Sequence, residues 1–86
     1  MKGTFELRIY RALFISRMEE IKKTLDYEHG NLKYLDDHSD KFENVDILRG
    51  LFNVSIEGLT EYYNKMQTQL DIIDKEIEYE ENKNET

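Results

Sequence analysis

The sequence predicts an all-α chain folded as an antiparallel helical hairpin. Two observations carry the prediction. Leu59, Tyr63, Met66, Leu70, Ile73 and Ile77 recur at steps of four and three. Steps averaging 3.5 residues put all six side chains on one stripe, the pattern by which helices pack along one another. The chain also has no proline, only four glycines and 36% charged residues, which suits long uninterrupted helices better than strands and turns.

Eighty-six residues make one domain, expected over residues 1–81, with 82–86 as a frayed acidic tail. A chain this short buries only about 60–65% of the surface its unfolded form exposes, so its own core is thin. With no cysteine and two histidines, neither a disulfide framework nor a conventional structural zinc site can staple it. The remaining device is association, so dimerisation into a helical bundle is expected.

The net charge of −7 is uneven. Residues 1–35 hold seven Lys/Arg against five Asp/Glu, and residues 36–86 hold five against fourteen. Opposite signs favour packing the first helix on the second, and the acidic surplus disfavours nucleic acid and anionic membranes as partners. The apolar run after Lys2 is broken by Glu6, Arg8 and Arg11, so neither a signal-peptide core nor a membrane span is expected and the location is read as cytoplasmic. The abundance of Lys, Asn, Ile and Tyr fits an AT-rich genome, such as that of a low-GC bacterium or its phages and mobile elements.

The first helix is expected from Thr4, as a cap, to about Glu28, with Leu7, Phe14, Met18, Ile21 and Leu25 on its stripe and Arg11 interrupting it. Phe5, Leu7 and Ile9 alternate like a short strand, but that alternation fails at Tyr10 while the helical period persists. His29-Gly30-Asn31 is the best breaker in the chain, with His29 placed to complement the negative helix end. Leu32 and Leu35 nevertheless continue the stripe, so a helix running through Gly30 at a cost of about 1 kcal/mol is the alternative. Asp36 to Asp40 is the expected loop, rich in residues that bond their own backbone.

Asp40 and Glu43 have the spacing of a capping box that would open the second helix. A break near Gly50 or Asn53, or a short third helix between residues 31 and 52, remains open. If the first helix ends at Glu28 it is too short to cover the whole seam. The end from Met66 to Ile77 would then be the place for self-association or docking.

Leu48 to Tyr62 resembles a helix-turn-helix: Phe52, Asn53, Val54 and Ser55 follow that motif's order of helix end, turn and cap, with Leu48, Leu59 and Tyr62 at its core positions. The resemblance implies a DNA-reading helix with Ser55, Thr60 and Asn64 as contacts and a dimerising helix beyond. Arg49 stands where the motif wants a small residue, Gly58 weakens the reading helix, and Glu57 and Glu61 face outward where phosphates would lie.

Asp36, His38 and Asp40 share the opening spacing of a calcium loop, but Lys41 replaces its glycine and Ile47 its final glutamate, so a solvated turn is expected. No catalytic motif or cofactor is expected. Six tyrosines are many, and Tyr62 and Tyr63 cannot both face one seam. Tyr27, Tyr34 and Tyr62 are therefore candidate exposed contacts for a partner. The function expected is that of a small cytoplasmic protein-interaction module, a regulator, inhibitor or immunity-type protein, with a second copy and a protein target as its partners.

Overall fold

A computed structural model describes residues 3–85; Met1, Lys2 and Thr86, the last of these part of the expected tail, lie outside the described residues. Helix α1 spans Thr4–Asp37 and helix α2 spans Val45–Glu85, joined by a short corner containing one 3-10 turn at Ser39–Lys41. The two helices pack antiparallel along their length as a hairpin.

α1 is longer than its strongest break signal implied. It passes through Gly30 without a positive φ, because Leu32 and Leu35 continue the stripe and their burial outweighs the glycine penalty. His29 is therefore an exposed mid-helix residue and complements no helix end. Thr4 is the first helical residue and does not cap; Gly3 occupies the cap position without a side-chain bond.

The corner forms at His38. Its backbone N–H donates to the Tyr34 carbonyl at 3.0 Å, and its ring Nδ1 lies 3.0 Å from the same oxygen, so the ring closes the helix end its backbone terminates. Tyr34 stacks on His38 at a centroid distance of 4.1 Å and meets Phe42 edge-on at 6.4 Å. The expected short middle helix reduces to the single 3-10 turn. The capping box does not open α2, which instead starts four residues later, where the Asn44 carbonyl accepts from Leu48 N–H at 3.0 Å.

α2 runs unbroken through Gly50, Asn53 and Gly58 and continues across Asn82–Glu85, where fraying was expected. Its seam faces α1. Met66, Leu70 and Ile77 are buried, as are Met18, Ile21 and Leu35 on α1. Met18, Ile21, Met66 and Leu70 form the central cluster, with Phe14, Ile15, Leu25, Leu59 and Tyr63 packed around it. No side chain among the described residues is fully buried, as expected for two helices with no third layer.

The heptad pattern extends through both helices. On α1 the inward positions are 7, 11, 14, 18, 21, 25, 28, 32 and 35, and on α2 they run at the same steps from 45 to 80. A period of 3.5 makes such a pair wind left-handedly. The Cα extents are 67 × 16 × 15 Å. A straight flat pair would measure about 14 × 5 Å in section from helix radius and spacing, so the two helices do not lie flat.

Candidate interaction surface

Because each helix commits one stripe to the seam, its remaining positions fall into two flanks and a back. In an antiparallel pair the corresponding flanks of both helices come to the same side of the rod, and the two sides of this hairpin differ in chemistry.

One side carries three ion pairs between the helices. Arg11 Nε donates to Asp74 Oδ1 at 2.7 Å, Arg8 pairs with Glu81, and near the corner Arg49 reaches Asp36 Oδ1 through Nη2 at 2.6 Å and Nε at 3.0 Å. Arg49 also bonds Asp46 within its own helix at 3.1 Å. The hydrogen bonds to Asp36 and that carboxylate's charge, aided by Asp46, raise the Arg49 pKa above its ordinary value. Arg11 and Arg49 both sit at inward heptad positions, where a long cation reaches past the partner helix to its flank. The stripe interruption at Arg11 is thus a clasp. Along this side Arg8, Lys22 and Lys33 stand against nine carboxylates between Glu19 and Glu81.

The other side is nearly free of net charge and rich in tyrosine. On α1 it holds Tyr10, Leu13, Arg17, Glu20, Thr24, Tyr27 and Tyr34. On α2 it holds Leu51, Gly58, Tyr62, Lys65, Gln69, Ile72, Glu76 and Tyr79. A surface cleft lined by Arg17, Glu20, Ile21, Thr24, Leu59 and Tyr62 joins the two rows at mid-length, and another lined by Leu7, Ile72, Ile73, Glu76 and Glu80 opens nearer the free end. Arg17, Lys65 and Lys83 stand against Glu6, Glu20 and Glu76, with Glu80 at the inner edge of the second cleft. Eight large apolar or aromatic side chains on this side are 47–69% exposed.

The sequence-predicted residues divide accordingly. Tyr27, Tyr34 and Tyr62 are exposed and share this side, although Tyr34 also spends a ring face on His38. Tyr10 and Tyr79 belong with them and were missed; both lie on the same three-four spacing as Tyr27 and Tyr62, a signal legible only once the seam is extended along both helices. The six seam residues Leu59, Tyr63, Met66, Leu70, Ile73 and Ile77 turn toward α1 of the same chain. The surface expected to be left over between Met66 and Ile77 is therefore covered, because α1 continues to Asp37 and its start reaches the far end of α2. Ser55, Thr60 and Asn64 do not form one reading face: Ser55 is half-buried on the tyrosine side, whereas Thr60 and Asn64 lie on the acidic flank. With α2 continuous at Asn53-Val54, the turn of a helix-turn-helix is absent.

Asp36, His38 and Asp40 do not converge on one point, since Asp36 binds Arg49 and His38 closes α1. No helix among the described residues is long and apolar enough to cross a membrane. No protein-family model matches the chain, and comparisons with curated proteins and with solved structures return no match.

Proposed function

We propose that the chain is a small acidic protein-interaction module, a regulator, inhibitor or immunity-type protein of a phage or mobile element, that acts in the cytoplasm by docking its helical surface on a protein target. The observation that supports this reading is the division of the rod into a neutral tyrosine-rich side and an acidic side. A hairpin that needed only to fold would scatter its exposed aromatics, whereas here five of the six tyrosines share one side. Tyrosine offers a large apolar face with a polar tip at little entropic cost, which suits docking surfaces. The acidic side supplies the field that would steer a basic target.

The test is capture of targets from a bacterial host lysate by wild-type chain and by two surface variants. Tyr27→Ser with Tyr62→Ser empties the tyrosine side; Glu57→Lys with Asp71→Lys reverses charge on the acidic side. Capture lost with at least one variant, at unchanged helicity by circular dichroism, is the expected result. Capture indifferent to both contradicts the proposal, as would salt-sensitive binding of duplex DNA by wild type.

A further inference from the structure

We propose that the tyrosine-rich side is occupied by a second copy of the same chain, giving a two-fold symmetric four-helix bundle in which α1 of each copy lies on α2 of the other. The inference deepens the reading of that side as an interaction surface by naming its first occupant.

Three observations choose a second copy. The first is area. The eight exposed large side chains, at 47–69% exposure each, present roughly 900 Å² if a free side chain of this size shows about 200 Å², against about 800 Å² per partner in a standard interface. The second is charge. Two chains of −7 repel over most of their surface, but the tyrosine side sets three cations against three flanking carboxylates and Glu80, so this is where two copies can meet with the least electrostatic penalty. The third is that the central pair of those charges, Glu20 and Lys65, is complementary in one orientation and not in the other.

The ion pairs Arg11–Asp74 and Asp36–Arg49 fix which residues of α1 and α2 lie at the same height. By that register Glu20 is level with Lys65, whereas Glu6 lies about a turn from both Glu76 and Lys83 and so favours neither arrangement. A two-fold axis along the rod lays α1 of one copy on α2 of the other at equal height, so Glu20 faces Lys65 and Leu13 faces Ile72 across the interface. A two-fold axis perpendicular to the rod at its mid-length lays like helices together and brings Glu20 close to Glu20 and Lys65 close to Lys65, since both residues sit at mid-helix. At the centre of the face the first arrangement pairs Glu20 with Lys65 and the second juxtaposes like charges, so the axis runs along the rod. The acidic sides then face outward on both flanks of the bundle, available to a target.

Light scattering on the full chain across a dilution series tests the association. The expected mass is twice 10.4 kDa, and a mass of 10.4 kDa throughout overturns the proposal. Glu20→Lys or Lys65→Glu alone should raise the dissociation constant about tenfold by placing like charges together, and the two combined in one chain should restore it. Glu19→Lys, on the other side, should change it little. The absence of native cysteine allows an orientation test that does not depend on affinity. Chains bearing Leu13→Cys mixed with chains bearing Ile72→Cys should oxidise to the mixed disulfide in preference to either homodisulfide. A dimer that yields mainly homodisulfides, or whose charge variants are not rescued by combination, contradicts the orientation. A monomer that still captures a target through Tyr27 and Tyr62 would remove this inference and leave the proposed function standing.

Discussion

Leu70 shows how much one residue carries in a core with no third layer. It is buried in the central cluster with Met18, Ile21 and Met66, and its truncation to Ala removes atoms that neither helix can replace by collapsing. A loss of about 2–4 kcal/mol is expected, a large fraction of the stability of a domain this size. Leu70→Ala should therefore show a sharply lowered urea midpoint by circular dichroism, and a midpoint within error of wild type would mean the seam is not the core. Glycine gives the opposite sign. Gly30 and Gly50 sit inside helices at ordinary negative φ, and a Cβ built on either meets nothing within 4 Å. Replacing each by Ala should stabilise by about 1 kcal/mol and raise the melting temperature by about 4–8 °C. A drop on thermal melting would show that these glycines serve a bend the structure does not contain. Their presence also explains why residue-level reading misplaced the end of α1 and left a break open at Gly50. Local breaker chemistry argued for interruption, while the burial of Leu32 and Leu35 that outvotes it depends on a partner helix 10–50 residues away in the chain.

At the scale of the element, the corner is held by side chains that sequence spacing does not bring together. Arg49 reads as an odd cation in an apolar run, and in the fold it crosses to Asp36 with two donors. Two guanidinium donors converging on the single oxygen Oδ1 fix the direction of this pair more than one donor would, although exposure and salt limit what it contributes. Arg49→Ala should accelerate amide exchange around residues 34–48 and leave residues 59–77 as protected as in wild type. Uniform acceleration along both helices would show the corner to be part of one cooperative unit with the core. The seam itself was legible from the first, since six residues at steps of four and three specify a stripe without any tertiary knowledge. The start of α2 was not. Asp40 and Glu43 have a capping-box spacing, but Tyr34, His38 and Phe42 organise the corner through ring packing that keeps Ser39–Lys41 in a 3-10 turn and delays the helix to Val45.

For the molecule as a whole, the helical hairpin followed from composition and period, and the cationic first half does meet the acidic second half through Arg8–Glu81 and Arg11–Asp74. The length of α1 decides most of what else changed. A first helix ending at Glu28 would leave a bare seam, whereas one ending at Asp37 covers it and moves any interaction surface to the flanks. The three tyrosines named from sequence fall on one of those flanks, but Tyr10 and Tyr79 join them only when both helices share a register. Likewise, the resemblance of Leu48 to Tyr62 to a helix-turn-helix rested on local order, and a seam that stays in phase from Val45 to Ile77 leaves no room for the turn.

The covering of the seam within one chain is the claim on which the flanks, the clasp and the free tyrosine side all depend. Spin labels attached through Glu6→Cys and Glu78→Cys in the same chain, diluted into unlabelled protein, measure it by pulsed electron resonance. The hairpin places these positions at nearly the same height on helices about 10 Å apart, and the expected distance, with label arms, is roughly 15–25 Å. A distribution centred beyond about 40 Å, as helices opened at the corner by chain length would give, would contradict it.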